Sequence, residues 1–516
     1  MQGTVDATSR GHGAEVTAGN IASVLVVGGG TSGWMVAAAL GHKLARTGIT
    51  VSLVESEAIG TVGVGEATVP HIRAFNAGLG FDEAEFMAAT NATFKLGIEF
   101  RDWGRIGDSY IHPFGASGRP IGAAEFHHHW IRLHRAGRAA PFDRYSLPVR
   151  MSREARFAHP SPDPASFAST YSYAYQFDAS LYARYLRAQA EAKGVIRLEG
   201  RIVDVTLDGR GHVAAVTLDD GRRLAADLFV DCSGFRGLLI EGALNSGYED
   251  WTRWLPCDRA WAVPCANIGA IGPYTRATAL DAGWAWRIPL QHRAGNGHVF
   301  ASGFTDEGAA LDRLLGQLDA PPLAEPRRLG FTAGKRRRQW IGNTVAIGLS
   351  AGFLEPLEST SIHLIQLGIE RLLDLFPTAD WDPLDAAEFN RLMDLEYERV
   401  RDFIILHYCA TQRRDTDFWN HVRTMSLPDS LSARMELFRA RAVVVKYRQG
   451  MFLEPSWLAV YLGQNIIPDA IDPLAAAHDL GDAEAQAAAM LGEVEREAAG
   501  LPTHAEALPR GLGVAA

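Results

Sequence analysis

Hydrophobic and polar positions near the start of the chain form short apolar runs separated by helical stretches. Residues 1–20 are polar and rich in glycine and threonine, and we expect them to form a loose tail. Val24 to Val27 form an apolar run bounded by glycines, which is typical of a strand buried in a parallel sheet. A helical pattern from Trp34 to about Arg46 follows, and then a second apolar strand from Val51 to Glu55. This order predicts a βαβ unit with a right-handed crossover.

The remaining chain shows three kinds of pattern. Residues from about 100 to 170 are rich in Gly, Pro, His and aromatics and have little periodicity, so we expect long loops over a surface or a cavity. Residues 178–193 have a helical pattern, and residues 195–231 predict short strands joined by turns. Helical patterns dominate beyond residue 360 and cover Ile362 to Leu375, Ala386 to His407, and 429 to 446. Residues after about 500 have no evident structural pattern.

Length and composition exclude several classes of protein. The chain has 516 residues, more than the roughly 250–300 that one core accommodates, which predicts two or three modules. Fifty basic against 60 acidic residues give a net charge of −10, which argues against a nucleic-acid partner. No apolar run is long enough to span a membrane, and no signal-peptide core is evident, so we expect a soluble cytoplasmic protein. The four cysteines lack metal-site spacing, and the adjacent His127, His128 and His129 cannot easily face one ion, so we predict no metal site.

A glycine-rich turn joins the first strand to the first helix. Residues 28–33 read Gly-Gly-Gly-Thr-Ser-Gly and fit the GxGxxG pattern. Such glycines allow a tight turn and a close approach of the backbone to a pyrophosphate at the helix N-terminus. Glu55 ends the next strand, where a carboxylate accepts a hydrogen bond from a ribose hydroxyl. The combination predicts a dinucleotide site, whose residues are Gly28, Gly30, Thr31, Ser32, Gly33 and Glu55.

Two later segments favour FAD over NAD as the dinucleotide. Residues 227–234 and 342–348 each form a strand that runs into a glycine turn. Returning elements of this kind are typical of flavoproteins whose FAD module is interrupted by a substrate module. We find one convincing fingerprint, which leaves no second site for NAD(P)H, so we expect reduced flavin to be made elsewhere.

Four segments resemble the flavin-dependent halogenases of the tryptophan-halogenase type. They are the fingerprint extended to Gly33-Trp34, the GVGEAT segment at 63–68, the WAWRIP segment at 284–289, and the EPLEST segment at 355–360. The WAWRIP segment matches the WxWxIP signature of the family and is the most specific of the four. The resemblance runs from about residue 22 to about residue 465.

The resemblance implies a mixed α/β fold with a GR2-like FAD-binding module, an interleaved substrate region and a mostly helical C-terminal region. The module would occupy residues 21–375 discontinuously, in segments at about 21–100, 170–240 and 330–375. Segments at about 101–169 and 241–329 would form the inserted substrate region. Residues 376–500 would cover the substrate, and 501–516 would form a tail.

The resemblance also implies the site residues. Lys95 would be the catalytic lysine that receives hypohalous acid, by hydrogen bonding or as a haloamine, and Glu358 the matching carboxylate. The same comparison implies cofactor contacts at Gly65, Ala67 and Gly348, halide contacts at the amides of Thr360 and Ser361, and substrate contacts at His112, Pro113 and Phe114. The halide, chloride or bromide, stays open, because the tryptophan enzymes usually have glycine where this chain has Ser361.

The implied reaction uses FADH2, oxygen and halide to halogenate an electron-rich aromatic, foremost an indole. A separate flavin reductase would be the partner, with no nucleic acid and no membrane, and a homodimer stays open. Enzymes that take free tryptophan bind it with paired tyrosines and a glutamate, which we do not find near residues 442–458. We therefore expect free indole, or a larger indole-bearing molecule, to be preferred over free tryptophan. The alternatives are an FAD-dependent aromatic hydroxylase and a non-catalytic flavin-binding protein.

Overall fold

The computed structural model describes residues 20–57, 65–164, 166–446 and 450–509. Residues 1–19 and 510–516 of the predicted tails, residues 63–64 of the GVGEAT segment and residues 447–449 therefore lie outside the described residues. The strands are β1 (Ser23–Val27), β2 (Thr50–Glu55), β3 (Gly65–Ala67), β4 (Thr93–Lys95), β5 (Gly97–Arg101), β6 (Ser109–Pro113), β7 (Ala174–Asp178), β8 (Ile196–Glu199), β9 (Ile202–Leu207), β10 (Val213–Leu218), β11 (Arg223–Leu224), β12 (Leu228–Asp231), β13 (Tyr248–Asp250), β14 (Arg259–Cys265), β15 (Thr275–Leu280), β16 (Gly283–Pro289), β17 (Ala294–Phe300), β18 (Arg327–Gly330), β19 (Gly334–Arg336), β20 (Trp340–Ile341), β21 (Thr344–Ala346) and β22 (Gly352–Phe353).

Helices fill the gaps between these strands and most of the C-terminal part. They are α1 (Thr31–Lys43), α2 (His71–Gly78), α3 (Glu83–Thr90), α4 (Phe126–Arg135), α5 (Leu147–Arg153), α6 (Ala179–Ala192), α7 (Glu307–Leu315), α8 (Ser361–Asp374), α9 (Pro383–Cys409), α10 (Asp417–Thr424), α11 (Asp429–Arg441), α12 (Glu454–Gly463), α13 (Pro473–Ala477), α14 (Leu480–Ala499) and α15 (His504–Ala507). No helix in the described ranges is long and apolar enough to cross a bilayer.

The predicted βαβ unit lies at the centre of a six-stranded sheet. Its strand order is β20-β21-β12-β1-β2-β8, and β1 pairs in parallel with both β12 and β2. The sheet draws β8, β12, β20 and β21 from far along the chain, so it is assembled from separated segments. β1 and β12 are almost wholly buried, which agrees with their apolar runs.

A second, seven-stranded sheet carries the WAWRIP segment. Its order is β18-β14-β17-β16-β15-β5-β6, with antiparallel pairing except between β15 and β5. Strand β3 carries residues 65–67 of the GVGEAT segment, which in the family that the sequence resembles belongs to the flavin strap, and we call β3 the strap. It pairs with β7, which also pairs with β4, the strand that ends at Lys95. Helices α8 and α9 lie on one another beside these sheets. The molecule is thus a mixed α/β protein with a largely helical C-terminal part.

Two expectations about local structure are wrong. Residues from about 100 to 170 contain β6, α4 and α5 rather than long loops alone. Six consecutive residues of helix α4, Phe126 to Ile131, are buried, and three of them are the histidines His127, His128 and His129, so apolar residues alone do not mark its buried part. Beyond residue 500, Thr503 and Glu506 form a capping box that starts α15.

In the segment around Lys95, apolar residues alternate with polar ones, which predicts a half-buried strand, but the structure differs. The alternation over residues 93–100 belongs to two strands in different sheets, β4 and β5, with Leu96 between them. All the residues from 93 to 100 are buried, on both faces. The side of the strand that carries Lys95 therefore faces the protein interior and not solvent.

Candidate active site

Three glycines of the fingerprint, Gly28, Gly30 and Gly33, have different surroundings in the structure. Gly28 has φ +111°, and a Cβ atom there would lie 2.4 Å from the carbonyl oxygen of Cys232. A Cβ atom on Gly33 would lie 1.8 Å from the carbonyl oxygen of Gly28, so helix and turn approach too closely for any side chain. In contrast, a Cβ atom on Gly30 would have no atom within 4 Å. Open space therefore lies at the N-terminus of α1, where the donors and the helix dipole fit a pyrophosphate.

Other predicted cofactor residues lie around this helix start. Thr31 and Ser32 form the first turn of α1. Gly348 follows β21 with φ +81°, and a Cβ atom there would lie 2.7 Å from the Cβ of Ser32. The structure thus brings Ser32 and Gly348 together at the edge of the sheet where parallel strands end, which is the usual place for a ligand.

Glu55 ends β2 beside the same turn. Its Oε1 accepts a hydrogen bond from Arg197 Nε at 2.6 Å, and its Oε2 accepts one from Trp34 Nε1 at 3.3 Å. A carboxylate has further lone pairs after two such bonds, so the ribose contact predicted for Glu55 is compatible with them.

Gly65 and Ala67 belong to the strap strand β3. Ala67 packs with Ile288 and Leu290, and a Cβ atom on Gly65 would lie 3.5 Å from Leu290. The strap therefore packs against the end of the WAWRIP segment. The residues predicted to hold FAD fit that group: the glycines leave space at a helix N-terminus, and an acid ends the next strand.

Lys95 ends β4 and is fully buried. Its Nζ donates to Ser359 Oγ at 2.7 Å and to the carbonyl oxygen of Thr68 at 3.0 Å. The ring of Phe114 lies 5.1 Å from Nζ, measured to the ring centroid. Burial lowers the pKa of Lys95 to about 7, although the negative charge of Glu358 opposes this. A large share of neutral amine is therefore present at neutral pH.

Glu358 is held between two histidines. His112 Nδ1 lies 3.0 Å from both carboxylate oxygens, and His407 Nε2 lies 2.8 Å from Oε1 at an angle that is poor for a hydrogen bond. Burial raises the pKa of Glu358, but the contacts with the two histidines outweigh it and lower the pKa to about 2. The carboxylate is thus ionised, which makes it able to accept a proton.

His407 is also bonded to the backbone of its own helix. Its Nδ1 lies 2.8 Å from the carbonyl oxygen of Phe403, which can only accept, so this contact needs a proton on Nδ1. The ring of His407 is thereby held with Nε2 facing the carboxylate of Glu358 at 2.8 Å.

The turn after Glu358 leads into helix α8. Ser359 adopts a left-handed conformation with φ +59°, which is rare for a residue other than glycine. Thr360 is fully buried, and its hydroxyl has no hydrogen-bond partner within the described part of the chain. The predicted halide residues Thr360 and Ser361 thus lie at the start of a long helix beside an unpartnered donor, which fits an anion.

Aromatic rings surround His112. Phe403 and Phe452 stack at 3.8 Å between centroids, and Trp457 packs against Phe403 at 5.2 Å. The ring of His112 lies 5.7 Å from that of Phe403. Of the predicted substrate residues, His112 and Pro113 are buried and Phe114 is half-buried. The structure therefore places His112 and Phe114 next to Glu358 and Lys95.

His407 and Phe403 were not identified from sequence. Both lie in α9, whose last seven residues are all buried. The available signal was a histidine directly after the apolar helical run from Phe403 to Leu406, but such a residue is more often a satisfied core group than a functional one.

The three consecutive histidines have ordinary structural partners. His127 Nε2 and His129 Nε2 lie within hydrogen-bond distance of the carbonyl oxygens of Ala442 and Ile121, and His128 Nδ1 accepts from the amide of Asp472. Across the described ranges, no group of three or more His, Cys, Asp or Glu side chains is arranged to hold a metal ion.

Comparisons with known proteins agree with this arrangement. The family model described as tryptophan halogenase matches residues 23–480. The chain is 36% identical over 494 residues to tryptophan 6-halogenase SttH of Streptomyces toxytricini, which covers 89% of this chain and 92% of that protein.

Solved structures give closer matches. A flavin-dependent halogenase from Xanthomonas campestris superposes with a TM-score of 0.92 at 48% identity, covering 96% of this chain and 99% of the other. BrvH, a flavin-dependent halogenase from Brevundimonas sp. BAL3, superposes with a TM-score of 0.91 at 48% identity, covering 95% and 99%. The predicted fold, mixed α/β with an FAD-binding module, is confirmed.

Proposed function

The chain belongs to the tryptophan halogenase family and is an FADH2-dependent halogenase, and we propose that it halogenates indole or a larger indole-bearing molecule through Lys95. The family assignment decides against the aromatic hydroxylase and against the non-catalytic flavin-binding protein. The observation that carries the roles of the residues is the buried cluster in which Lys95 Nζ bonds Ser359 at 2.7 Å, one residue from Glu358.

FAD, when bound in its reduced form, supplies with oxygen the oxidising power that converts halide into hypohalous acid. We propose that the cofactor contacts are those predicted from sequence: Gly28, Gly30, Thr31, Ser32, Gly33, Glu55, Gly65, Ala67 and Gly348. Thr360 and Ser361 would hold the halide at the N-terminus of α8, next to the predicted flavin turn at Gly348. Which halide is used, chloride or bromide, is a matter for experiment.

Lys95 would carry the halogenating reagent. The amine can donate a hydrogen bond to hypohalous acid, or, in its neutral form, take the halogen as a haloamine. A pKa of about 7 makes both forms available near neutral pH. Nζ belongs to a fully buried side chain and makes two hydrogen bonds to protein groups, so a reagent bound there would be kept from water.

Glu358 would accept the proton that the ring loses when it regains aromaticity. The low pKa of Glu358 makes it a weak base. A weak base suffices, because the proton on the halogenated carbon of the cationic ring is strongly acidic. The contacts of Glu358 with His112 and His407 lower its pKa and keep the carboxylate ionised in a buried site, where an unpaired charge would cost several kcal/mol, roughly.

The aromatic walls support an indole as substrate. His112, Phe114, Phe403 and Phe452 offer ring faces and edges for an aromatic guest. The nearby carboxylate of Glu454 is already paired with Lys446 at 3.0 Å. An amino acid needs partners for both its charges when it leaves water. A nearby carboxylate that is already paired therefore supports free indole over free tryptophan as the substrate.

We also propose that a separate flavin reductase supplies FADH2, and that the FAD-binding module is discontinuous as expected from sequence. The assembly of the six-stranded sheet from separated segments supports this division, with about 101–169, 241–329 and 376–500 forming the substrate region.

The test of the function is incubation of the protein with a flavin reductase, FAD and either indole or tryptophan, in chloride and bromide separately. Mass spectrometry of the products should show a halogenated indole in at least one of the two salts. Conversion of indole to hydroxylated products alone would contradict the proposal.

A further inference from the structure

Glu355 begins the six-residue turn that carries Glu358 and Ser359, and it is held as firmly as they are. It is buried, and its Oε2 accepts hydrogen bonds from Trp284 Nε1 and from the hydroxyl of Tyr408, both at 2.6 Å. Trp284 is the first tryptophan of the WAWRIP segment in β16, and Tyr408 belongs to α9. The signature tryptophan is thus bonded to the turn that bears the catalytic groups.

The carboxylates of Glu355 and Glu358 contact the same two parts of the structure. Each is held by one residue from a strand of the seven-stranded sheet and one from the end of α9. For Glu358 these are His112 of β6 and His407, and for Glu355 they are Trp284 and Tyr408. His407 and Tyr408 are consecutive residues.

The end of α9 and the seven-stranded sheet therefore hold both Glu355 and Glu358. Pro356–Glu358 form one 3₁₀ turn directly after Glu355, and the ring of Pro356 restricts the backbone there. A displacement at Glu355 is therefore transmitted to Glu358 and to Ser359, which bonds Lys95.

The bonding of Glu355 suits a hydrogen-bond acceptor more than a charge. Both donors reach Oε2, while Oε1 is buried and has no hydrogen-bond partner among the described residues. Burial raises the pKa of Glu355 to about 7, although the two hydrogen bonds oppose this. A neutral acid with its proton on Oε1 accepts both bonds, and a glutamine side chain has the same shape and the same acceptor.

We propose that Glu355 is a positioning residue, and that Trp284 acts through it to hold Glu358 and Ser359 in register with Lys95. The hydrogen bond from the indole N–H of Trp284 then explains why this position holds a tryptophan and not another large aromatic residue. The inference rests on the proposed roles of Lys95 and Glu358. When the turn is displaced, hypohalous acid should still be formed but should escape before it halogenates the substrate.

The test compares Glu355→Gln, Glu355→Leu and Trp284→Phe with the unaltered protein, all supplied with FAD and a flavin reductase. Two quantities are measured per flavin reoxidised: halogenated indole, and hypohalous acid captured by a scavenger in solution. Trp340→Phe is the matched control, because Trp340 is also buried and its Nε1 donates to the carbonyl oxygen of Gly342 at 2.8 Å, away from the turn.

Glu355→Gln should stay within about twofold of the unaltered protein in both quantities. Glu355→Leu and Trp284→Phe should lose about tenfold in halogenated product, which corresponds to about 1.4 kcal/mol, while the captured oxidant rises. Combining these two changes should lower the product little beyond Glu355→Leu alone, because both remove the same interaction. Trp340→Phe should leave the ratio of product to captured oxidant unchanged.

A purely structural role would lower product and captured oxidant in equal proportion, as a loss of folded enzyme does, and that result would overturn the inference. Equal impairment of Glu355→Gln and Glu355→Leu would also overturn it, since the charge and not the acceptor would then matter. Should Glu355→Leu fail to fold, Trp284→Phe gives the same ratio test. Failure of the unaltered protein to halogenate indole would instead refute the proposed function.

Discussion

Replacement of Lys95 by methionine is expected to stabilise the protein at neutral and acidic pH while it abolishes halogenation. The pKa of Lys95 is about 10.5 in the unfolded chain and about 7 in the folded protein. The difference of about 3.5, at about 1.36 kcal/mol per pKa unit, means that keeping this lysine in its site costs about 5 kcal/mol below pH 7. Methionine removes this cost but loses two hydrogen bonds, worth about 1 kcal/mol each. The net gain is therefore about 3 kcal/mol.

The sign of the pH dependence follows from proton binding. Between pH 7 and pH 10.5 the unfolded chain holds a proton on Lys95 that the folded protein has largely lost, so the stability of the unaltered protein rises with pH across this window. The advantage of Lys95→Met should consequently be largest at pH 6 and should vanish, or change sign, by about pH 10.

The assay is the midpoint of thermal unfolding of both proteins at pH 6 and at pH 9.5, at one scan rate. Lys335→Met is the control: Lys335 is also buried, though less deeply than Lys95. It is paired with Asp394 at 2.7 Å and Glu249 at 3.1 Å, and these carboxylates raise its pKa despite burial. That change should lower the midpoint at pH 6. If Lys95→Met also lowers the midpoint at pH 6, or raises it equally at both pH values, then burying the amine of Lys95 does not destabilise the folded protein in the way calculated above.

Four further outcomes are expected. Lys95→Ala should abolish halogenation but leave FAD binding and flavin reoxidation nearly intact; a comparable loss of FAD affinity would show that Lys95 is structural or a flavin ligand. Glu358→Gln should reduce halogenation by about 10²-fold or more, as loss of a general base does, without affecting reoxidation of the flavin. A preparation free of reductase should show no sustained turnover with NAD(P)H, FAD and halide. In a competition between equal concentrations of indole and tryptophan, halogenated indole should dominate; a tenfold preference for tryptophan, worth about 1.4 kcal/mol, would make the substrate proposal wrong.

Local patterns predicted the FAD-binding part of the fold better than the halogenation site. The strand that ends at Val27, the glycine turn and Glu55 lie within one βαβ unit, so the periodicity and spacing of nearby residues specify them. The burial of Lys95 on both sides of its strand depends on strands and helices far along the chain and leaves no local period. His504 shows the same limit: its Nε2 accepts from the amide of Phe94 at 3.1 Å, across 410 residues of sequence. Only the resemblance to a family singled out Lys95.

The same limit explains why the partners of the two glutamates were missed. His112, identified by resemblance, and His407, not identified at all, are separated by almost 300 positions and meet only because β6 and the end of α9 flank one turn. Trp284 was recognised as a signature residue, but its hydrogen-bond partner could not be inferred from a spacing of two tryptophans on one strand. A buried polar residue is informative only when the group that satisfies it is known.

One turn links the two halves of the proposed reaction. Its glutamates are fixed by the seven-stranded sheet and α9, Ser359 accepts the hydrogen bond of Lys95, and the following residues Thr360 and Ser361 begin α8. The proposed halide site belongs to the start of α8, the proposed carrier of the halogen is bonded to the turn, and the two meet at Ser359. The left-handed conformation of Ser359, with φ +59°, costs of order 1 kcal/mol and persists only because both sides of the turn are held. Because that conformation directs the serine hydroxyl to Lys95 and the next amides to the helix start, we regard it as the feature that aligns oxidant formation with its use.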